Sequence, residues 1–398
     1  MAGKSTLLLV LCLLLSAAAK DRDLKQVLIL SRHNIRAPLS SNLRYLSNKT
    51  WPTWEVEPGF LTAKGALLER QIGNYISNWL IGNGLLPAGC PDQNDIHVYA
   101  NTKQRTRKTA KAFVDGAFQN CNITVYSKNS TKMDPIFNPI IRNSSLDLKL
   151  AILSEMERSL NSLNLRNAYA KLNDIVDLEH ADICRIEGVC DFQTAREDLV
   201  YDIDDEPNVR GPLSFTNSIV DAFLMSYYEG MQIDDVAWGH INSPEDWKLF
   251  TPIIRGNLDV RFNGTILSKE VAKPLLNYVY NILKDDSKKF TLLVGHDSNL
   301  YSVMAAIGIK PYNLPEQYEL TPIGGKIVFQ KWHDARTGKS LLKIEYIYQS
   351  TSQLRNGEML TESNLPKRVT LAVKNCDVDN EGLCPWDEFL EILKHTFE

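Results

Sequence analysis

The sequence predicts an α/β fold: an open, mostly parallel sheet flanked by helices, with a mostly helical cap domain inserted into it. Short apolar runs that suit buried parallel strands alternate with stretches of helical periodicity in the first and last thirds of the chain. In residues 146–247, strand patterns nearly vanish and helical patterns dominate. We therefore expect an α/β domain in two parts, residues 20–135 and 255–398, around a cap domain of residues 136–254.

The composition is that of an ordinary globular protein without a strong overall charge. The 398 residues are 44% apolar and 23% charged, which suits one large core and a second lobe. The formal net charge of −4 provides no basic field that would attract nucleic acid or an anionic membrane surface. We therefore expect neither as a partner, and any binding of an anion must come from a local cluster of cations.

The N-terminus has the pattern of a secretory signal peptide, residues 1–19. Lys4 precedes an unbroken apolar run of residues 7–15, and small residues occupy positions 16–19. We expect cleavage after Ala19. A membrane anchor is the alternative, but the apolar run is much shorter than the roughly 20 residues that a spanning helix needs.

Six cysteines remain after that cleavage, and an even number in an exported chain indicates disulfide bonds. Their spacing favours three pairs: Cys184 with Cys190, Cys376 with Cys384, and Cys90 with Cys121. The sequence alone leaves the other pairings open. Zinc binding is the rival interpretation, but no CxxC spacing or neighbouring histidine pair supports it.

The first part of the α/β domain contains two strand–helix pairs. Residues 27–30 form an apolar run that stops at a polar segment, as expected for a strand buried on both faces. Apolar residues recur at helical spacing in residues 61–80, where Thr62 can cap the helix. A second strand is predicted over residues 96–100 and a second helix over residues 103–118.

Strand and helix patterns alternate again after the cap domain. They predict a helix near residues 269–283, a buried strand over residues 290–295 and another helix after Asp297. Two strands with alternating polarity, residues 325–333 and 341–348, complete the predicted sheet.

Two polar segments follow predicted buried strands and contain histidines. The first is SRHNIRAP at residues 31–38, and the second is VGHD at residues 294–297. In open α/β sheets, ligands bind at the carboxyl ends of the strands. Taken alone, an RH pair is usually a chance surface feature, and an HD pair is usually a carboxylate at the start of a helix. Two histidines delivered to one sheet edge, however, predict a functional site there.

The residue types in these segments fit phosphoryl transfer. Arg32 and Arg36 carry permanent charge and forked donors that match phosphate oxygens. The imidazole of His33 between them can attack phosphorus and form a covalent intermediate. Asp297 is the natural general acid for the leaving alkoxide. This chemistry requires neither a metal ion nor an organic cofactor, so we expect none.

Residues 32–38, RHNIRAP, resemble the RHGxRxP signature of the histidine acid phosphatases, and residues 296–297 resemble their distal HD pair. Asn34 stands where most of that family has glycine, a departure shared with the bacterial periplasmic glucose-1-phosphatases. The similarity to this sub-branch extends from about residue 26 to residue 389 and includes residues 133–135, 138–139, 227–230, 236–239 and 321–326. The resemblance thus agrees with the phosphoryl-transfer chemistry inferred from the residues.

The resemblance also implies roles for individual residues. It makes His33 the nucleophile and Asp297 the proton donor. It adds a set of substrate-binding residues: Arg32, Arg36, Arg105, Glu206 and His296. Without the resemblance, Arg105 and Glu206 would be interpreted as solvated charges, one at a helix start and the other in an acidic turn. With it, Glu206 matches a cap-domain carboxylate that faces the sugar.

The predicted function is that of an acid phosphatase that hydrolyses sugar phosphate monoesters, glucose 1-phosphate first, through a phosphohistidine. A phytase-like or broad-specificity histidine acid phosphatase is the nearest alternative, because specificity lies in the cap domain. A phosphoglycerate mutase shares a similar RHG start, but the export signal and the cysteines count against that cytosolic role. A non-catalytic phosphate-binding protein is expected to lack His33 or Asp297.

The resemblance favours a periplasmic location, with secretion as the alternative. Five N-x-S/T sequons, which are glycosylated only along a eukaryotic secretory route, begin at Asn48, Asn122, Asn129, Asn143 and Asn263. Such sequons also arise by chance. We expect a small-molecule phosphate monoester as substrate, and the sequence leaves the oligomeric state open, a homodimer included.

Overall fold

The computed structural model of the chain describes residues 22–39 and 42–398, so the predicted signal peptide lies outside the described residues. The strands are β1 (Arg22–Arg32), β2 (Ile96–Ala100), β3 (Val125–Tyr126), β4 (Asp198–Val200), β5 (Asn208–Arg210), β6 (Phe290–Gly295), β7 (Lys326–Asp334), β8 (Ser340–Tyr348), β9 (Lys367–Leu371) and β10 (Leu383–Pro385). The helices are α1 (Leu43–Leu46), α2 (Ala63–Gly82), α3 (Gln104–Ala117), α4 (Leu146–Asn161), α5 (Arg166–Val176), α6 (Asp182–Glu187), α7 (Pro212–Glu229), α8 (Pro244–Phe262), α9 (Thr265–Lys284), α10 (Asp297–Ala306), α11 (Thr351–Asn356) and α12 (Trp386–Phe397).

The main sheet is mixed, and its strand order is β10–β8–β7–β1–β6–β2–β3, with β9 also paired to β8. The strands β1, β6, β2 and β3 are parallel to one another. On the other side of β1, β7 is antiparallel to it and leads into the antiparallel strands β8, β9 and β10. This sheet with its flanking helices confirms the predicted α/β class.

Helices cover both faces of this sheet, which explains the continuous apolar run of residues 27–30 in β1. From β1, Leu28 and Leu30 pack in one core with α9, α10 and α12. Val27 and Ile29 belong to a second core, which they share with α2 and α3. Successive side chains of a strand point to opposite faces, so burial on both faces requires a continuous apolar run.

The longer elements occur where the sequence patterns predict them. The strands predicted over residues 96–100 and 290–295 are β2 and β6, with the same bounds. The helix predicted over residues 61–80 is α2, and Thr62 caps it by accepting a hydrogen bond from the backbone N–H of Gly65. The pattern does not reveal the short strands β3, β4, β5 and β10, because two or three residues carry too little periodicity.

The segment between β3 and α9 is mostly helical and supplies most of a third core, which also includes Ile35, Leu68 and Tyr301 from outside the segment. Helices α4 to α8 contribute side chains to this core, in which Trp247 is almost fully buried. Ser243 caps α8, and Pro244 occupies the first helical position, where its missing N–H costs nothing. Because α8 continues to Phe262, its C-terminal half reaches the carboxyl edge of the sheet and lines the same cavity as His33.

Disulfide bonds join the six cysteines in the favoured pairs: Cys90 with Cys121, Cys184 with Cys190, and Cys376 with Cys384. The structure thus confirms the pairing that the spacing favours. Disulfide bonds persist in oxidising compartments, so they fit an exported protein. Among the described residues, no helix is long and apolar enough to cross a membrane.

Candidate active site

β1 and β6 bring the two histidine segments together. The strands are parallel neighbours, and Arg32 at the end of β1 is paired with Gly295 at the end of β6. The next residue along each strand is a histidine, and the backbone N–H of His33 donates to the carbonyl oxygen of Gly295 at 3.0 Å. The ring centroids of His33 and His296 are 5.4 Å apart, with an interplanar angle of 69°. The two segments therefore meet at one edge of the sheet.

The ring of His33 is buried and is oriented by its own loop. Its Nδ1 donates to the carbonyl oxygen of Asn34 at 2.9 Å, which leaves Nε2 as the unprotonated nitrogen of the neutral ring. Burial lowers the pKa of His33 well below its ordinary value, and the neighbouring cations, foremost Arg105, lower it further. The lowered pKa favours the neutral imidazole, in which the lone pair of Nε2 is free.

The loop after β1, residues 33–38, is called the histidine loop, and it is hydrogen-bonded to a buried ion pair. Lys326 Nζ and Glu69 Oε1 are 2.8 Å apart, and both side chains are fully buried. Asn34 Nδ2 donates to Glu69 Oε2 at 3.0 Å. Gly324 lies so close that a Cβ there would approach Asn34 Nδ2 to 2.5 Å, and its φ of +67° also favours glycine. In place of the glycine of the family signature, Asn34 supplies a side chain that ties the loop to this ion pair.

Arg32 is held by acceptors on two sides. Its Nη1 donates to Glu319 Oε1 at 2.8 Å and to the carbonyl oxygen of Thr321 at 2.6 Å. Its Nη2 lies 3.0 Å from Asp297 Oδ2. Burial opposes the charge of Arg32, but the carboxylates of Asp297 and Glu319 outweigh burial and raise its pKa. The guanidinium therefore stays charged and points in a fixed direction.

Arg36 points to the same place from the loop after β1 and is paired with α7. Its Nη1 and Nη2 donate to Asp221 Oδ2 and Oδ1, each at 2.9 Å. Such two-bond contacts between arginine and carboxylate fix direction as well as distance. Asp221 therefore orients the guanidinium and joins α7 to the histidine loop.

His296 is oriented by Asn101 and lies next to Arg105. Asn101 Nδ2 lies 2.9 Å from His296 Nε2, and Arg105 Nη2 lies 3.4 Å from His296 Nδ1. Both neighbours are donors, and a neutral imidazole accepts at only one nitrogen, so the two contacts compete for the single acceptor of the ring. Burial lowers the pKa of His296 well below its ordinary value, and Arg105 lowers it further. Burial and the nearby Arg36 lower the pKa of Arg105 to about 10, so this arginine still carries its charge at neutral pH.

Asp297 is the first residue of α10 and follows His296 directly. Burial opposes ionisation of its carboxyl, but the neighbouring cations, foremost Arg32, outweigh burial and hold the pKa of Asp297 below its ordinary value. Next to Arg32 the carboxyl is therefore ionised at neutral pH. To act as a proton donor, it needs a change in its surroundings that weakens the effect of Arg32.

One cavity of about 310 Å³ joins these groups, and every residue predicted for the site lines it: Arg32, His33, Arg36, Arg105, Glu206, His296 and Asp297. Glu206 comes from the loop before β5, and its Oε2 lies 3.0 Å from Arg261 Nη2 of α8. Burial raises the pKa of Glu206, although the charge of Arg261 opposes the rise. The arginines and histidines thus lie on the sheet side of the cavity, and an ion pair lies on its helical side.

Sequence reasoning misses four further residues that shape the site: Asp221, Glu319, Asn101 and Arg261. Asp221 and Arg261 belong to helices, where each resembles one more polar residue of a solvated face. Their partners in the site are determined by tertiary packing, which no local pattern reports. Asn101 is different, because it directly follows β2 and thus lies at the same strand-end edge as the histidines.

Comparison with known proteins identifies relatives along almost the whole chain. The model of the histidine phosphatase superfamily (branch 2) matches residues 23–180 and 261–349. The chain is 42% identical to a glucose-1-phosphatase of Salmonella typhimurium over 379 residues, which cover 93% of this chain and 92% of the relative. It is 41% identical to a glucose-1-phosphatase of Providencia rettgeri, with 95% of this chain and 93% of the relative covered.

A solved structure has a similar fold. The Hafnia alvei phytase in complex with tartrate superimposes with a TM-score of 0.86 and is 27% identical, over 96% of this chain and 98% of the phytase. The family match and the two relatives indicate a histidine phosphatase. The placement of His33 and His296 at the ends of the neighbouring strands β1 and β6 agrees with that assignment. The chain is therefore a phosphatase that belongs to branch 2 of the histidine phosphatase superfamily.

Proposed function

We propose that the chain is an acid phosphatase that hydrolyses sugar phosphate monoesters, glucose 1-phosphate foremost, through a phosphohistidine on His33. The observation that carries this proposal is the convergence of His33, Asp297 and three arginines in one cavity. The two glucose-1-phosphatases, 42% and 41% identical to the chain, support the choice of substrate. The similarity to a phytase structure supports the alternative, a phytase-like specificity.

In the proposed mechanism, His33 Nε2 attacks phosphorus. The contact of Nδ1 with Asn34 and the depressed pKa of His33 support a neutral imidazole in the required orientation. As the bond between Nε2 and phosphorus forms, the bond between phosphorus and the leaving oxygen breaks and the sugar departs. Water then attacks the phosphohistidine, the phosphorus–nitrogen bond breaks, and inorganic phosphate leaves.

Arg32, Arg36, Arg105 and His296 bind the phosphate oxygens in the proposed complex. All four residues line the cavity that also contains His33 and Asp297. Preorganised positive charge at the transferring group is the largest source of rate enhancement in phosphoryl transfer. The ring N–H of His296 would add a further donor.

Asp297 is the proposed general acid and base. Its carboxyl protonates the leaving oxygen in the first step and takes a proton from water in the second. The 3.0 Å contact between Arg32 Nη2 and Asp297 Oδ2 favours the ionised form before substrate binds. A bound phosphate competes for the same guanidinium and adds negative charge, and both effects raise the pKa of Asp297. Substrate binding thus prepares the proton donor.

We propose residues 136–254 as the cap domain and Glu206 as its contact with the sugar. Glu206 lines the same cavity as His33, and Asp221 of α7 is paired with Arg36, so this segment borders the reaction centre. The carboxylate of Glu206 can accept hydrogen bonds from sugar hydroxyls. A cavity of about 310 Å³ is at the lower end of the range for ligand sites, which favours a small substrate.

The proposal extends to location and partners. Residues 1–19 would direct export to the periplasm, with secretion as the alternative, and the three disulfide bonds support an oxidising compartment. We propose no metal ion or organic cofactor, because three arginines supply the charge neutralisation that a metal ion provides in other enzymes. The net charge of −4 supports the absence of nucleic-acid and membrane partners.

A substrate panel tests the proposal. The values of kcat/KM for glucose 1-phosphate, other sugar phosphates and inositol hexakisphosphate are measured at acidic pH, with and without EDTA. The highest value is expected for a sugar monophosphate, and EDTA should leave the rates unchanged. A preference for inositol hexakisphosphate would favour the phytase-like alternative. Activity that EDTA removes and zinc or magnesium restores would contradict the metal-free mechanism.

A further inference from the structure

Arg261 is a cation of the active-site cavity that the proposed mechanism does not use. It lies near the C-terminal end of α8 and lines the same cavity as His33 and Asp297. Its Nε donates to the carbonyl oxygen of Pro207 at 2.8 Å, and its Nη2 donates to Glu206 Oε2 at 3.0 Å. Its side chain is 19% exposed, and that of Glu206 is 30% exposed. The two side chains thus form a largely buried ion pair on the wall of the cavity.

Each member of this ion pair keeps one polar atom unused. Among residues 22–39 and 42–398, Arg261 Nη1 donates to no protein atom and Glu206 Oε1 accepts from none. Neither of these two atoms is among the polar atoms that are buried without a partner, so both remain accessible. The ion pair therefore offers one hydrogen-bond donor and one acceptor, and its charges largely cancel.

The ion pair lies near the group that is proposed to protonate the leaving oxygen. Burial raises the pKa of Glu206, and the negative charge of Asp297 raises it as well. Burial lowers the pKa of Arg261, whereas the charges of Glu206 and Asp297 oppose that effect. Asp297, Glu206 and Arg261 also line the same cavity, so the three charged groups border one space. An alcohol whose oxygen takes a proton from Asp297 would lie beside the ion pair.

We propose that Arg261 is a specificity-determining residue, and that the Glu206–Arg261 pair selects phosphate monoesters of neutral, polyhydroxylated alcohols. This inference rests on the proposed sugar phosphatase function and names what recognises the sugar. Neighbouring hydroxyls of a sugar can each donate and accept, so they match a carboxylate oxygen beside a guanidinium nitrogen. A second phosphate on the substrate finds no such match, because Glu206 repels it and the charge of Arg261 is already neutralised.

Three substrates separate these effects: glucose 1-phosphate, glucose 1,6-bisphosphate, and nitrophenyl phosphate, whose leaving group lacks sugar hydroxyls. Arg261→Gln weakens the donor and unmasks the charge of Glu206. The kcat/KM for glucose 1-phosphate relative to nitrophenyl phosphate should then fall about tenfold. Glu206→Gln unmasks the charge of Arg261, so kcat/KM for the bisphosphate relative to glucose 1-phosphate should rise about tenfold. Arg261→Lys keeps the ion pair and should hold this second ratio within about threefold of the wild type.

Arg255→Gln is the matched control, because Arg255 lies on the same helix, is 62% exposed and does not line the active-site cavity. This control should change neither ratio. A purely structural role of Arg261, in holding the loop at Pro207, would lower kcat/KM for all three substrates together. Unchanged ratios in Arg261→Gln would therefore overturn the proposal.

Two further outcomes are decisive. If Arg261→Gln does not fold, Glu206→Gln carries the test, and an unchanged bisphosphate ratio in that variant overturns the proposal. If the wild type hydrolyses nitrophenyl phosphate but not glucose 1-phosphate, the proposed sugar phosphatase function is contradicted. That result would not by itself contradict the role of Arg261 in selecting against a second phosphate. The two hypotheses therefore fail on different measurements.

Discussion

The contact between Arg32 and Asp297 connects phosphate binding to proton transfer. The guanidinium stabilises the carboxylate across 3.0 Å, so the proposed acid lacks its proton until the phosphate arrives. A phosphate that takes over part of Arg32 and adds its own charge reverses that preference. We therefore expect catalysis to require Asp297 only when the leaving group must take up a proton.

Asp297→Asn tests this dependence. The variant should phosphorylate itself from an alkyl phosphate about 100-fold more slowly than the wild type, because the alkoxide leaves without a proton. With nitrophenyl phosphate the loss should stay within about tenfold, because that leaving group is stable as an anion. Single-turnover phosphorylation separates this step from hydrolysis of the intermediate. Equal losses with both substrates would exclude Asp297 as the acid.

The acid limb of the pH profile reports the environment of His33. Burial and the charge of Arg105 hold its pKa well below the ordinary value, and catalysis needs the neutral imidazole. Arg105→Gln removes a positive charge, so the pKa of His33 rises and the acid limb of kcat should move to higher pH. The charge of Arg105 also lowers the pKa of His296. The acid limb therefore reports the titration of His33 and His296 together rather than that of one residue.

Arg107→Gln is the control for this shift, since Arg107 is exposed on the same helix, α3. The pH profile of kcat for nitrophenyl phosphate is compared in the two variants and the wild type. The Arg107 variant should leave the limb in place. An Arg105 variant whose acid limb stays or moves to lower pH would contradict the electrostatic account of His33.

At the scale of elements, the ion pair behind the histidine loop joins α2 to β7. Lys326→Met leaves Glu69 buried without its counter-ion and should lower the free energy of unfolding by about 3–5 kcal/mol. Adding Glu69→Leu removes the stranded charge and should restore part of that loss. Lys111→Met breaks an exposed ion pair with Asp115 and should cost at most about 1 kcal/mol. Denaturant unfolding measures all three, and a loss below about 1 kcal/mol for Lys326→Met would contradict this role.

The strands and helices also show which features the sequence could predict. β6 was predictable because residues 290–294, which are apolar except for Thr291, end abruptly at a glycine and a histidine, and parallel strands buried on both faces require such runs. Arg32, His33 and Asp297 were predictable because strand ends place side chains at one edge. Asp221 was not, because only the packing of α7 against the loop after β1 brings it to Arg36, 185 positions away. Long-range contacts of this kind leave no local pattern.

For the whole molecule, the disulfide bonds constrain loops of different length. Cys90 and Cys121 are 31 positions apart, whereas Cys184 and Cys190 are 6 apart. Closing a longer loop removes more entropy from the unfolded chain, so replacing the first pair by serines should cost about 3–4 kcal/mol and the second about 2 kcal/mol. Denaturant unfolding of the two double variants under one condition compares them. Equal losses, or a larger loss for the second pair, would contradict the loop-entropy explanation.

Phosphate is proposed to pass through His33, and capture of the phosphohistidine would detect that transfer. Enzyme is mixed with glucose 1-phosphate labelled in its phosphate, quenched within one turnover without acid, and digested for mass spectrometry. We expect label on His33 in the wild type, no label in His33→Ala, and no turnover by that variant. Label on a serine, on Asp297 or on His296 in the wild-type enzyme would contradict the mechanism.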